Sequence, residues 1–200
     1  ARFDGGAARF VGATVTADGA TAVDRALSFL DRFRDLYGLS DPRTQLQVVR
    51  QAGEGDAQDV FFGESVGSVP VQDAQLGVHL VGGSVIATSG AYLPLLPAGT
   101  KPVIGASAAV VTAQQAAKST ADPLDKPAQA YFNAGLTMNA AERKAWGLDD
   151  ESHLVWQVTL PSRVSYVDAR SGRELIAFSP NDDAATSLWI RTTNNTGPGS

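Results

Sequence analysis

Alternation of apolar and polar positions dominates the middle of this chain. Within residues 60 to 94, Leu76, Val78 and Leu80 alternate with Gly77, His79 and Val81, the period-two pattern of a strand with one buried face. Gly82-Gly83 stands where a tight hairpin needs positive φ, and Ser84 to Ala87 then run back. The same reasoning predicts strands over Gln45 to Gln51, Asp59 to Ser65, Val69 to Leu80 and Ser84 to Tyr92. Ahead of them, Val23, Leu27, Leu30, Phe33 and Tyr37 recur at helical spacing, opened by the capping-box form Thr21-Ala-Val-Asp24 and stopped by Gly38 and Pro42. The apolar stripe of that helix needs a surface to cover, and the strands after it are the nearest one. The expected first unit is a helix on a curved antiparallel sheet.

Leu93-Pro94-Leu95-Leu96-Pro97-Ala98-Gly99-Thr100-Lys101-Pro102 admits neither a helix nor a central strand, so the domain boundary is placed there. Beyond it, Thr112-Ala-Gln-Gln115 resembles a capping box opening an alanine-rich helix that must end before Asp122-Pro123. Asn139-Ala-Ala-Glu142 caps a further short turn closed by Gly147. The strand pair Leu154 to Leu160 and Val164 to Asp168 follows. In Leu154-Val-Trp-Gln-Val-Thr-Leu160 the positions Leu154, Trp156, Val158 and Leu160 are apolar while Gln157 and Thr159 are polar, which makes Trp156 a core residue of a half-buried strand. Tyr166 to Ile176 reads as strand, turn at Ser171-Gly172, and return strand. The fold class expected is α+β: two small units, each with a helix packed on an antiparallel β-sheet. Residues 1–95 form the first and 104–180 the second, with a Pro-rich linker at 96–103 and a flexible tail or processing linker at 181–200.

Composition narrows the function classes. With 44% hydrophobic and 18% charged residues, a packed core is expected. Twenty glycines and ten prolines favour strands and turns over long helices. The net charge of −5, with arginines interleaved among aspartates as in Asp31-Arg32-Phe33-Arg34-Asp35, argues against nucleic acid as a partner. No run approaches the roughly 20 apolar residues that cross a bilayer, and the polar face of the first helix carries acids as often as bases, so no membrane partner is expected. The absence of cysteine removes disulfides, thiolate metal ligands and a cysteine nucleophile together. The first residues lack the apolar core of a signal peptide, so an exported form has lost its signal before residue 1.

Two stretches carry a family resemblance. Val69-Pro70-Val71, the strand Leu76-Gly-Val78-His79-Leu80 and the Gly83-Ser-Val return ending near Pro94 resemble the fungalysin/thermolysin propeptide domain. Asp73 stands where that family often has glycine, and Glu64-Ser65 replaces a common Gln-aromatic pair. Trp156-Gln-Val158 followed by Tyr166-Val-Asp168-Ala-Arg-Ser-Gly172 resembles the PepSY domain, with Ser171 in place of the usual threonine. The order of the two is that of the prosegment of thermolysin-like and fungalysin-like zinc metalloproteases. The resemblance implies a secreted propeptide acting as intramolecular chaperone and inhibitor, whose partner is the catalytic domain of its own precursor. It also implies no cofactor in this segment, with zinc only in the downstream catalytic domain. A free-standing exported binding module or protease inhibitor built from the same domains is the alternative, using sheet edges near Val69 to Leu80 to pair with a partner strand.

Reactive chemistry is sparse. The zinc-protease signature His-Glu-x-x-His is absent, and His79 and His153 read as ordinary strand-edge histidines. Gly63-Glu64-Ser65-Val66-Gly67 matches the nucleophile elbow in letters, but Gly67-Ser-Val-Pro-Val71 reads as another strand where the elbow needs a helix. Asp149-Asp150-Glu151 and Asp182-Asp183 read as solvated carboxylates titrating near ordinary values. Asp168, at a strand end, is expected to accept backbone N–H groups of the turn that follows. No Gly-x-Gly-x-x-Gly or P-loop occurs, and Asn194-Asn-Thr196 fits a glycosylation sequon by chance. This segment is therefore expected not to be an enzyme. Trp189 and Ile190, in a polar tail, are expected either to anchor on the catalytic domain or to clasp the second sheet.

Overall fold

A computed structural model describes residues 2–4, 7–93 and 101–179. The chain divides into two compact units. One takes the described residues up to Ser68 together with Ala74 to Leu93, and the other takes Val69 to Asp73 together with the described residues from Lys101 onward. Both are α+β, with helices on antiparallel-rich sheet.

In the first unit, strands β1 (Arg2–Asp4) and β2 (Ala7–Thr16) precede helix α1 (Ala22–Arg32) and the short turns α2 (Arg34–Tyr37) and α3 (Pro42–Gln45). Strands β3 (Leu46–Glu54), β4 (Ala57–Val66), β5 (Val69–Val81) and β6 (Ser84–Ala91) follow. Their order is β1-β2-β6-β5, with β4 and then β3 beyond β5. Sequence reasoning missed β1 and β2, whose run from Ala7 to Thr16 mixes small, charged and apolar residues with no clean period.

Helix α1 starts at Thr21 because Thr21 Oγ1 accepts the Asp24 N–H at 3.1 Å while Asp24 Oδ2 accepts the Thr21 N–H at 3.1 Å. The expected single helix breaks at Phe33 (φ −112°, ψ 20°), and α2 carries on to Gly38, whose φ of 66° ends it. Ala26, Phe29, Leu30 and Tyr37 are buried, whereas Val23, Leu27 and Phe33 are half-buried, so the buried stripe is rotated toward Phe29. That stripe lies on β4 and β6. The sheet answers with Val60, Phe62, Leu76, Val78, Leu80 and Val85, each contributing about 1.5–3 kcal/mol if fully buried. Tyr37 donates or accepts a 2.7 Å bond with Thr88 Oγ1 inside this core. Burial pushes the Tyr37 phenol up, and the Thr88 bond only partly offsets it.

The second unit contains α4 (Ala106–Ala117), β7 (Ala128–Phe132), a 3-10 turn (Ala134–Leu136), α5 (Ala140–Trp146), β8 (His153–Leu160), β9 (Arg163–Asp168) and β10 (Glu174–Phe178). Its sheet runs β7-β8-β9-β10 antiparallel, and Val71 of β5 joins β7 in parallel, opposite Tyr131. Helix α4 is longer at its start than the sequence suggests. Gly105 is its N-cap, and Thr112 lies mid-helix with its hydroxyl donating to the Gly172 carbonyl at 3.2 Å. The residues taken for a capping box are thus interior positions, because the alanines upstream, Ala106, Ala108 and Ala109, already support helix. Asn139 and Glu142 do form a capping box, and Gly147 closes α5 at φ 65°.

Strand β8 is covered on both faces, where alternation suggests one. Val158, Leu160 and Val167 pack with Ala109 and Ala113 of α4, while Val155 packs on the opposite face with Phe132, Tyr166 and Ile176. Val155 occupies what reads as a solvent position yet is fully buried. Trp156 is half-buried at the edge of the α4 layer, and its indole N–H donates to the Ile104 carbonyl at 2.9 Å.

Candidate functional site

The family-motif residues are mostly structural. Val69 and Val71 are buried in β5 with Pro70 exposed between them, and Leu76, Val78 and Leu80 face the first core. Val158 and Tyr166 are buried in the second unit, and Tyr166 stacks on Phe132 at 5.3 Å. Burial, with the Asp73 charge acting in the same direction, pushes the Tyr166 phenol far up. Asp73 itself has φ 60°, the left-handed region that glycine occupies without cost. Gly172 sits at φ 75° in the turn between β9 and β10.

The expected partner-strand edge near Val69 to Leu80 is not an edge. Strand β5 is flanked by β4 and β6 and meets β7 at Val71, so its backbone groups are taken. Instead β3 lies outermost beside β4, with Gln47 to Gln51 all exposed, including Val48 and Val49. The long apolar run drew attention to β5, but such a run marks a central strand.

His79 is also not an edge residue. Its Nδ1 lies 2.7 Å from Asp59 Oδ1 on β4, and its Nε2 lies 3.1 Å from Ser89 Oγ on β6. A carboxylate accepts, so Nδ1 carries the proton. With Nε2 bare, the ring accepts the Ser89 hydroxyl there. Asp59, His79 and Ser89 thus form an acid–imidazole–hydroxyl line across three neighbouring strands. The register explains it: Ser89 lies opposite Gly77 on one side and Phe10 on the other, and His79 lies opposite Ala87, which in turn faces Gly12. The small residues Gly12, Gly77 and Ala87 leave a low floor, with Phe61 packed over Gly77 and meeting the His79 ring edge-on. Arg50 holds its guanidinium 4.1 Å from the Phe61 ring centroid. Sequence reasoning missed this line, because counting back from Val81 opposite Ser84 without the irregularity between His79 and Leu80 puts Ile86, not Ala87, opposite His79.

The second histidine sits between two carboxylates. His153 Nε2 lies 2.9 Å from Asp149 Oδ1, and Nδ1 lies 3.1 Å from Asp168 Oδ2. Only a ring protonated at both nitrogens donates to both. The hydrogen bond from His153 holds the Asp149 carboxyl below its ordinary value, which corrects the expectation of an unperturbed solvated acid. Asp168 Oδ1 accepts the Ser171 N–H at 2.6 Å, the Ser171 hydroxyl at 2.7 Å and the Arg170 N–H at 3.1 Å. Burial alone would push this carboxyl up, yet these bonds and that from His153 together hold it down. The two carboxylates sit on opposite ring nitrogens and do not converge on one point. Among the described residues no group of three or more His, Asp or Glu side chains is arranged to hold a metal ion.

Ser65 lies buried inside β4, where it accepts from Gln47 Nε2 at 3.4 Å, and a turn and strand β5 follow it. The neighbouring Glu64 is buried and accepts the Leu93 N–H at 2.8 Å. Neither position has the strand-to-helix setting of a nucleophile elbow. Trp189, Ile190, Asp182, Asp183 and Asn194 lie outside the described residues, as does most of the proline-rich stretch. Among the described residues no helix is long and apolar enough to cross a membrane.

No family model matches the chain, and no curated protein matches it. Among solved structures the chain is similar to the Bacillus megaterium YpeB C-terminal domain, at 16% identity over 82% of this chain and 67% of that one, with a TM-score of 0.35. A likeness at that level leaves the functional reading to the residues themselves.

Proposed function

We propose that this chain is the prosegment of a secreted zinc metalloendopeptidase, a module that assists folding of its own catalytic domain and covers that domain's cleft until release. The observation that carries the reading is the destination of the motif residues. Val69, Val71, Leu76, Val78, Leu80, Val158 and Tyr166 build cores, and Asp168 and Gly172 build a turn, so the motifs specify shape more than chemistry. The outermost strand β3 supports a binding role, since its exposed face from Gln47 to Gln51 carries neither proline nor lysine to discourage an added strand. Zinc belongs, in this reading, to a catalytic domain encoded beyond residue 200.

A species that binds the folded enzyme stabilises it by RT ln(1 + [L]/Kd). With a tether that sets the local concentration near millimolar and a nanomolar Kd, this is roughly 8 kcal/mol, most of which is lost when the tether is cut. The test adds the purified 200-residue chain to active thermolysin-like and fungalysin-like proteases. Inhibition at micromolar concentration, with slow turnover of the chain, is expected for at least one; absence of inhibition for both refutes the reading. A free-standing exported inhibitor is the second reading, and it separates at the gene: the codons that follow encode a His-Glu-x-x-His domain in the first case and a stop in the second.

A further inference from the structure

The line Asp59–His79–Ser89 has a consequence that the prosegment reading neither uses nor requires. We propose that Ser89 is an activated nucleophile that takes an acyl group from aryl esters on the outer face of the first unit's sheet, with His79 as its general base and Asp59 as the residue that positions His79. The connectivity is the one that nucleophilic catalysis needs: hydroxyl to Nε2 at 3.1 Å, Nδ1 to carboxylate at 2.7 Å. Each group stands on a different strand of one sheet, so the ladder, and not a mobile loop, sets their separation. The Asp59 carboxylate fixes the tautomer that leaves Nε2 free to accept, and it stabilises the imidazolium formed when the proton moves.

The surroundings define the substrate class. Residues paired directly across strands point to the same face, so Phe10, Ser89 and Gly77 form one row and Gly12, Ala87 and His79 the next. The floor between them is low because Gly12, Gly77 and Ala87 carry little or no side chain. Phe61 packs over Gly77, where an added Cβ would lie 3.1 Å from its ring, and Phe10, about half exposed, stands at the other end of the row. Phe61 over Gly77 and Phe10, whose ring lies 3.8 Å from where a Cβ on Gly12 would stand, border the row with aromatic surface that an aryl leaving group can meet. All three side chains of the line remain partly accessible. Ser89 sits in a strand laddered on both sides, so no free pair of backbone N–H groups faces a developing oxyanion. The site therefore suits acyl donors with stable leaving groups, aryl esters rather than amides.

The step balances without a co-reactant. Ser89 Oγ bonds to the ester carbonyl carbon while its proton passes to His79 Nε2. The bond from that carbon to the aryl oxygen then breaks, and the departing phenolate takes the proton, leaving an ester on Ser89. Water, giving a proton to His79 Nε2, attacks that ester; the bond from its carbon to Ser89 Oγ breaks, Oγ takes the proton back from Nε2, and the carboxylic acid is released.

The experiment incubates the full chain with p-nitrophenyl acetate, follows nitrophenolate release, and locates the acetyl group by peptide mass spectrometry. The expected result is acetyl-Ser89, with Ser84 on the same strand unmodified. His79→Gln should slow acetylation of Ser89 by about 100-fold or more, the contribution of a general base. Asp59→Asn keeps an oxygen opposite Nδ1 but removes the charge that favours the imidazolium. It should therefore slow the reaction and move its pH profile toward lower pH, a displacement that a merely structural role would not produce. Circular dichroism of each variant establishes that it is folded. Three results overturn the proposal: no acetyl group on Ser89 of the unaltered chain, an acetyl group on His79 alone, or undiminished acetylation of Ser89 in folded His79→Gln.

Discussion

Replacing Asp168 by asparagine tests how the second unit holds its β9–β10 turn. The carboxylate accepts the Ser171 N–H and hydroxyl, the Arg170 N–H and the His153 ring, and Asp168 is only 6% exposed. Asparagine keeps one oxygen for the turn but loses the charge that strengthens all four bonds, so a loss of about 2 kcal/mol is expected at neutral pH. Asp168→Ala leaves the Ser171 and Arg170 donors without their acceptor and should cost more, about 4 kcal/mol. The pH dependence has a definite sign. The folded carboxyl is held below its unfolded value near 3.9, so its stabilisation is fully present above about pH 4 and is lost as pH falls through the lower folded value. Urea titration followed by tryptophan fluorescence reads the unit concerned, because Trp146 and Trp156 lie in it and no tryptophan occurs in the chain before residue 146. The gap between the native chain and Asp168→Asn should be about 2 kcal/mol at pH 7 and shrink as pH falls below about 4 and through the lower folded value. A gap under about 0.5 kcal/mol at pH 7, or one that persists unchanged in acid, refutes the account.

Three further outcomes are expected. Gly90→Ala places a Cβ 2.1 Å from the Gln75 carbonyl oxygen and 2.9 Å from Leu76 Cα, so β5 must move; a loss of about 3 kcal/mol, read by hydrogen exchange of β5 and β6 amides, is expected. Asp73→Gly and Asp73→Ala remove the same carboxylate, but only glycine takes φ 60° freely, so the glycine variant should be more stable by about 1 kcal/mol in the fluorescence titration. Tyr37→Phe leaves the Thr88 hydroxyl, 1% exposed, without its 2.7 Å partner and should cost about 1–2 kcal/mol, seen as a lower urea midpoint by far-UV circular dichroism.

Most of the secondary structure was legible because its signals are local. The Thr21 and Asn139 capping boxes, the Gly82-Gly83 hairpin and the alternation from Leu76 to Leu80 each act over a few residues, and each element formed where its own chemistry places it. Errors came where tertiary burial decides. Val155 reads as a solvent position on a two-faced strand, but Phe132, Tyr166 and Ile176 cover the second face, and nothing within residues 154–160 announces them. The same holds for α4: its alanines carry no amphipathic stripe, and the helix is placed by Ala109 and Ala113 fitting under Val158 and Leu160. Asp73 is a different case. A residue where the resembled family often has glycine signals a positive φ, and the backbone there has one.

The His79 site was illegible for a reason that lies in sheet geometry itself. A helix motif brings residues three or four apart together, so it can be read as a spacing, but a sheet brings together residues separated by whatever the loops contribute. Asp59 and His79 are 20 positions apart and His79 and Ser89 are 10 apart, and neither interval means anything until the hairpin register is known. Once Gly82-Gly83 fixes Val81 opposite Ser84, the irregularity between His79 and Leu80 sets the rest: His79 lies opposite Ala87 and Gly77 opposite Ser89. That puts His79 and Ser89 diagonal to each other on one face, with Gly77 between them too small to intervene. A one-residue slip would turn Ser89 into the core beside Tyr37 and bring Thr88 out to the imidazole in its place. The bulge therefore decides which hydroxyl serves the sheet's interior and which one the histidine can deprotonate.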